Sequence, residues 1–338
     1  AADTDTVILQ LSDLVNVAPG ADEPASISYG ITQFTGGVDS GYDSKGQNVL
    51  YYNEGGTLVA RAGSATGTVV FTFGVNTTTG AATFNLNDQL DHPAGSGDDA
   101  LLSITNLGQY VQVSVTDYDG DTTSTNLAGM ITVSVENDVP VALVQPTPIT
   151  ATLEEDDMTG VAGGDLSVGN NEDGSTDFDE AVGTTSIASL FSIGADEDVA
   201  EGSQVAYGFA ADVSALDALG LQSQGAAVTF TSDGQKLTAV ADGRTVLTVT
   251  IDAATGNWSA DLSDQFDHVG PQLPGVENTD LVAAGGSLAG LDLSGVLTAT
   301  DYDGDTVIGA ASGSFVLTIE DDVPVALVQP TPITATLE

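Results

Sequence analysis

Residues 117–121 read Asp-Tyr-Asp-Gly-Asp, and residues 301–305 read the same. Each copy puts three carboxylates on alternate positions: Asp117, Asp119 and Asp121, then Asp301, Asp303 and Asp305. Like charges so close repel, so the pattern calls for a bound cation, a solvated turn or a lasting lack of structure. Calcium fits such a loop, being a hard ion that takes about six to eight oxygen ligands, often carboxylates alternating along a tight turn. The spacing resembles the start of an EF-hand loop, but Gly120 comes too early and Ala128 stands where the closing glutamate belongs. A calcium-stabilised turn between strands is the reading that the repetition favours. An Asp-rich hairpin built on the Asp-Gly turn signal is the plain alternative.

A second acidic cluster follows the next apolar run. Glu136, Asn137 and Asp138 precede Val139-Pro140, and Glu320, Asp321 and Asp322 precede Val323-Pro324. Glu154, Glu155, Asp156 and Asp157 lie just beyond the first of these and would complete a calcium site at a domain junction; solvated linker charge is the alternative. Asp22 and Glu23, with Asp196, Glu197 and Asp198, are weaker candidates. The two histidines occupy equivalent places, His92 in Leu-Asp-His-Pro and His268 in Phe-Asp-His-Val. An Asp-His pair invites a catalytic or zinc reading. Each copy offers only one histidine, though, with no cysteine and no nucleophile at fixed spacing, so a structural histidine at a strand-to-loop corner is expected. No G-x-S-x-G, H-E-x-x-H or phosphate-loop motif occurs, and an enzyme is not expected. Trp258 has no tryptophan counterpart and reads as core.

Composition narrows the partners. Of 338 residues, 49 are acidic and four basic, a formal net charge of −45. That field repels nucleic acid and anionic membranes and attracts multivalent cations. Acidity alone also fits disorder, but 41% of residues are hydrophobic and recur in short alternating runs, as in a folded chain. Without cysteines there is neither a disulfide nor a thiolate site. No apolar run reaches membrane-spanning length, and the first residues, AADTDTVILQ, carry no basic leader region.

The elements that must position these carboxylates are repeated too. Residues 138–154 recur unchanged as 322–338, an offset of 184, and residues 79–93 align with 255–269. Such repetition implies a first repeat at 1–140, a second at 141–324 and the start of a third at 325–338. Within each, the period is two. Val69, Phe71, Phe73 and Val75 alternate with smaller or polar residues, and Val111, Val113 and Val115 run up to the first Asp-rich loop. Ile131, Val133 and Val135, then Phe315, Leu317 and Ile319, continue the pattern. These runs predict half-buried antiparallel strands punctuated by glycine turns. Only residues 212–220 look helical, with Asp212 as cap and Gly220 as stop. The expected fold is all-β, two sandwiches in series, with Pro140, Pro146 and Pro148 stiffening the connection into a rod.

The order Leu-Asp-His-Pro, an acidic spacer (Asp98-Asp99, or Asp280 in the second copy), a strand, Asp-x-Asp-Gly-Asp-Thr, another strand and a closing Asp-x-Pro resembles the tandem repeats of large bacterial RTX adhesins. The strand-acids-proline boundary is similar to a cadherin linker. The resemblance implies an extender: Ig-like sandwiches, stiffened by calcium within and between domains, that hold a distal binding domain away from the cell. It further implies an extracellular, cell-surface location reached by type I secretion, with neighbouring repeats and calcium ions as partners. A calcium-dependent ligand- or sugar-binding adhesin module is the rival reading.

Overall fold

The computed structural model describes residues 6–18, 23–93, 95, 97–98, 100–158, 180–194, 205–270 and 278–323. The start of a third repeat, Asp22, Asp99, Asp196, Glu197, Asp198 and the side chain of Asp157 lie outside the described residues. The chain is all-β, and among the described residues its one α-helix is a single turn, Ser214–Asp217. Contacts divide it into two compact units. The first is built on Ala1–Val139; the second on Pro140–Ser192, Val205–Thr300 and Thr306–Glu338. Two short segments, Ile193–Gln204 and Asp301–Asp305, group with the first.

In the first unit the strands are β1 (Thr6–Gln10), β2 (Ser26–Ile31), β3 (Val38–Ser44), β4 (Gln47–Glu54), β5 (Thr57–Ala62), β6 (Val69–Val75), β7 (Ala81–Leu86), β8 (Leu101–Ile104), β9 (Val111–Thr116), β10 (Thr122–Asn126) and β11 (Val133–Glu136). An antiparallel six-stranded sheet runs β1-β7-β6-β5-β4-β3, beside a three-stranded sheet β10-β9-β2 and the pair β11-β8. Alternation works as the sequence implies: on β9, Val111 and Val113 are buried while Gln112 between them is exposed. The core joins Tyr51, Leu58, Phe71 and Phe73 from the large sheet with Ile104, Val111 and Val113 from the smaller ones. Tyr51 meets Phe71 edge-on at 5.9 Å between ring centroids. Each of these large side chains contributes about 1.5–3 kcal/mol by leaving water. One departure from strict alternation occurs on β6. A register shift opposite Ala60 and Arg61 turns both Val70 and Phe71 inward and leaves Val69 only half-buried. The extra residue of a bulge is the physical reason.

The second unit repeats the large sheet, in the order 180–182, 258–262, 244–251, 236–241, 226–232, 222–223. Equivalent anchors recur. Leu11 N donates to Gly80 O at 2.9 Å, and Ile187 N to Gly256 O at 2.9 Å. The helical turn also forms as its sequence implies, with Asp212 Oδ1 accepting from Ser214 N and Val213 and Leu216 buried.

Two expectations change here. The strand Phe315–Glu320 pairs antiparallel with Leu291–Asp292 but parallel with Ile149–Glu154. Alternation gives the buried face, not the direction of the partner; a parallel neighbour needs only a long crossover, which the intervening chain supplies. The proline-rich connection is also less bare than it reads. Val141–Ala142 pairs with Phe191–Ser192, so its first residues are built into the second unit's hydrogen bonding.

Candidate metal centres

The two Asp-Tyr-Asp-Gly-Asp loops fold alike. Asp117 N donates to Asp121 O at 3.1 Å, and Asp301 N to Asp305 O at 3.0 Å. Asp117 Oδ1 accepts from Gly120 N at 3.1 Å and Asp121 N at 2.8 Å, and Asp301 Oδ1 from Gly304 N and Asp305 N at the same two distances. Threonine hydroxyls close both loops, Thr116 to Thr122 and Thr300 to Thr306, each at 2.8 Å. The glycines take φ of +101° and +98°, a region that L side chains avoid. In both loops one oxygen from each aspartate lies within 4.8 Å of the other two.

Surroundings separate the two loops. Asp119 and Asp121 are exposed, whereas Asp301 and Asp305 are 1% and 3% exposed. Hydrogen bonding, first to the Asp119 side chain and then to backbone N–H groups, holds the Asp117 carboxyl below the usual range. Burial, followed by the neighbouring Asp303 carboxyl, pushes Asp301 up to about 7. Asp301 Oδ2 and Asp303 Oδ1 are buried and accept no hydrogen bond. Each buried polar atom left so costs about 1–3 kcal/mol. A hard cation among the three carboxylates would remove that cost, and all the donors are oxygen, as calcium prefers.

The second set of candidates divides. Glu136 is exposed at the end of β11, Asn137 is buried with its N–H donated to Ala100 O at 2.9 Å, and Asp138 is half-buried. These three join no carboxylate trio among the described residues. Glu154 and Glu320 are partners across the parallel strands, so the next residues, Glu155 and Asp321, follow side by side. Glu155 and Asp156 are buried, and Asp322 is half-buried. Burial pushes the Glu155 carboxyl well above its usual range, opposed by the Phe266 N–H that it accepts at 2.6 Å.

The Asp-His pairs do structural work. Asp91 accepts from Lys45 N at 2.6 Å and Gly46 N at 2.8 Å, and Asp267 from Gln224 N at 2.7 Å and Gly225 N at 2.8 Å. Each clasped pair has two consecutive positive φ values, +51° and +66° or +53° and +76°, the signature of a type I′ hairpin. The aspartate thus satisfies the turn's outward N–H groups. His92 lies between the carbonyls of Leu90 and Val135, at 2.9 and 3.2 Å, and His268 Nε2 is 3.1 Å from the Ile319 carbonyl. Trp258 is buried against Phe315 at 4.9 Å, with its indole N–H donated to Thr185 O.

One feature escaped the sequence reading. His268 Nδ1 faces Asp321 Oδ1 at 3.3 Å and Glu155 Oε1 at 3.7 Å, a third trio that includes a nitrogen. The signal was present in the repeat alignment: Asn137 stands in the first copy where Asp321 stands in the second, beside otherwise equivalent histidines. Among known proteins, no curated sequence and no solved structure matches the chain. Residues 2–128 match the family model described as a domain of unknown function, DUF5801, a match that lies within the first repeat.

Proposed function

We propose that this chain is a calcium-stabilised spacer segment of a bacterial cell-surface adhesin, an extender that holds a distal binding domain away from the cell. The observation that carries the reading is the 301–305 loop, where two buried carboxylate oxygens lack hydrogen-bond donors inside a cluster of three aspartates. Repetition of the same loop geometry at 117–121 supports a recurring structural role rather than one specialised pocket. The charge supports it too, since −45 in one chain favours a loose state where calcium is scarce and a compact one where it is plentiful. Extracellular modules bind calcium with dissociation constants of about 0.1–1 mM, so a tenfold excess adds about 1.4 kcal/mol per site. Export by type I secretion and a surface location belong to this proposal.

The rival, a calcium-dependent sugar- or ligand-binding module, calls for an exposed aromatic cluster beside one loop. Tyr118 is exposed there, but as a single ring. Thermal unfolding in chelator, millimolar calcium and millimolar magnesium tests the spacer. A calcium-specific rise in Tm is expected, because magnesium holds its waters and demands stricter octahedral geometry. Equal melting in all three conditions would reduce the loops to turns and end the proposal.

A further inference from the structure

We propose that Glu155, His268 and Asp321 form a binding site for a first-row transition-metal dication of the zinc class, chemically distinct from the all-oxygen loops. His268 Nε2 lies 3.1 Å from the Ile319 carbonyl, which can only accept, so Nε2 carries the proton. In the neutral ring Nδ1 is then a bare lone pair. It is buried in a side chain 2% exposed, makes no hydrogen bond, and faces Asp321 Oδ1 at 3.3 Å and Glu155 Oε1 at 3.7 Å. Two carboxylates therefore face a buried ring nitrogen that has no hydrogen-bond partner, an arrangement that a cation or an added proton between them makes favourable.

Geometry and chemistry both favour the metal. Zinc bonds to imidazole nitrogen and carboxylate oxygen are about 2.0–2.2 Å long, which puts neighbouring donors of a tetrahedron about 3.4 Å apart. The separations of 3.3 and 3.7 Å bracket that edge, and all three atoms lie within 4.8 Å of one another. An imidazole donor selects zinc, cobalt or nickel over calcium, which takes oxygen. The Nε2–H to carbonyl hydrogen bond is the outer-shell contact that orients a metal-bound histidine. Phe266 N does the same for Glu155, donating to Oε1 at 2.6 Å. The first repeat supplies an internal contrast. There Asn137 replaces the aspartate, and the ring nitrogens of His92 lie near two backbone carbonyls, so this site is specific to the second unit.

The test uses the full chain, stripped with chelator and then titrated calorimetrically with zinc in excess calcium. One equivalent of zinc that a hundredfold calcium excess does not displace is expected. Cobalt added in place of zinc should give the strong visible absorption of a four-coordinate nitrogen–oxygen site. Asp321→Asn, a side chain that the first repeat accepts at the equivalent place, should leave the circular dichroism unchanged and weaken zinc binding at least tenfold. Asp301→Asn, which addresses the calcium loop, should leave zinc binding intact, so the two readings fail separately. Zinc binding that Asp321→Asn does not alter would mean adventitious capture by surface carboxylates. Displacement by calcium would make the site a hard-ion site, and absence of zinc binding with a doubly protonated His268 by NMR would make the bridging cation a proton. Each of these results overturns the proposal.

Discussion

Replacing Asp301 by Asn should stabilise the metal-free protein above neutrality while abolishing its response to calcium. Asp301 titrates near 7 in the folded chain against an ordinary 3.8, chiefly because it is buried. A carboxyl whose folded pKa is raised contributes its full stability below the unfolded value. That contribution declines as pH climbs from about 4 to about 7 and stays lost beyond it. At about 1.4 kcal/mol per pH unit the upper bound is roughly 4 kcal/mol, and solvent screening at the half-buried Asp303 beside it reduces this to roughly 2 kcal/mol. Asn keeps the Oδ1 that accepts from Gly304 N and Asp305 N, so the turn itself survives. The expected result is a Tm about 4–8 °C above wild type at pH 8 in chelator, with little difference at pH 4. Hydrogen-bonded carboxyls such as Asp212, Asp233, Asp252 and Asp292 sit below their usual value and act only under pH 4, outside this window. In calcium the order should invert, wild type gaining and the variant not. A variant that is less stable than wild type by the same amount at pH 4 and pH 8, or that keeps the full calcium gain, would refute the account of the loop.

Asp117→Asn in the exposed loop should shift the calcium-dependent Tm less than Asp301→Asn, as paired melts would show, because water already solvates that cluster. Trp258→Ala should destabilise the second unit by about 3–5 kcal/mol, measured by denaturant unfolding, since it empties a buried site against Phe315 and removes the hydrogen bond to Thr185. Raising sodium chloride from 0.1 to 1 M shortens the screening length from about 10 to about 3 Å. It should raise the Tm of wild type and Asp301→Asn equally, whereas calcium separates them.

Residue spacing carried the architecture far. Alternation located β9 and the 315–320 strand and named their inward faces, because a half-buried strand needs only period two. It did not reveal that Phe315–Glu320 takes a parallel neighbour, since pairing direction depends on where the chain re-enters, not on local pattern. The bulge that turns Val70 and Phe71 inward together was equally invisible. At the candidate centres, the Asp-x-Asp-Gly-Asp turn between strands followed from sequence, because a glycine permits the backbone to turn there. The burial of Asp301 did not, because two identical pentapeptides have no local means of differing. The equivalence of the two histidines was legible, and His268's second face was not, because its partners Glu155 and Asp321 lie far away in the chain.

The distribution of cations within the fold explains why such sites matter energetically. Lys45 pairs with Asp88, Arg61 with Glu54 and Arg244 with Asp264, so three of the four basic side chains are already committed to nearby carboxylates. None of those carboxylates belongs to the three clusters. Repulsion at 301–305 and at Glu155–Asp321 therefore receives no help from these side chains, and mobile sodium cannot follow the carboxylates into buried positions. N–H donors offset part of that repulsion, His92 N to Asp303, Gly95 N and Asn137 Nδ2 to Asp305 and Phe266 N to Glu155, and a proton or a divalent ion would offset the rest. On the proposed reading, deprotonated clusters above neutral pH make the folded state more stable when metal is supplied. If both proposed sites bind their ions, calcium and zinc should raise the Tm independently, the first lost in Asp301→Asn and the second in Asp321→Asn, as paired melts in each ion would show.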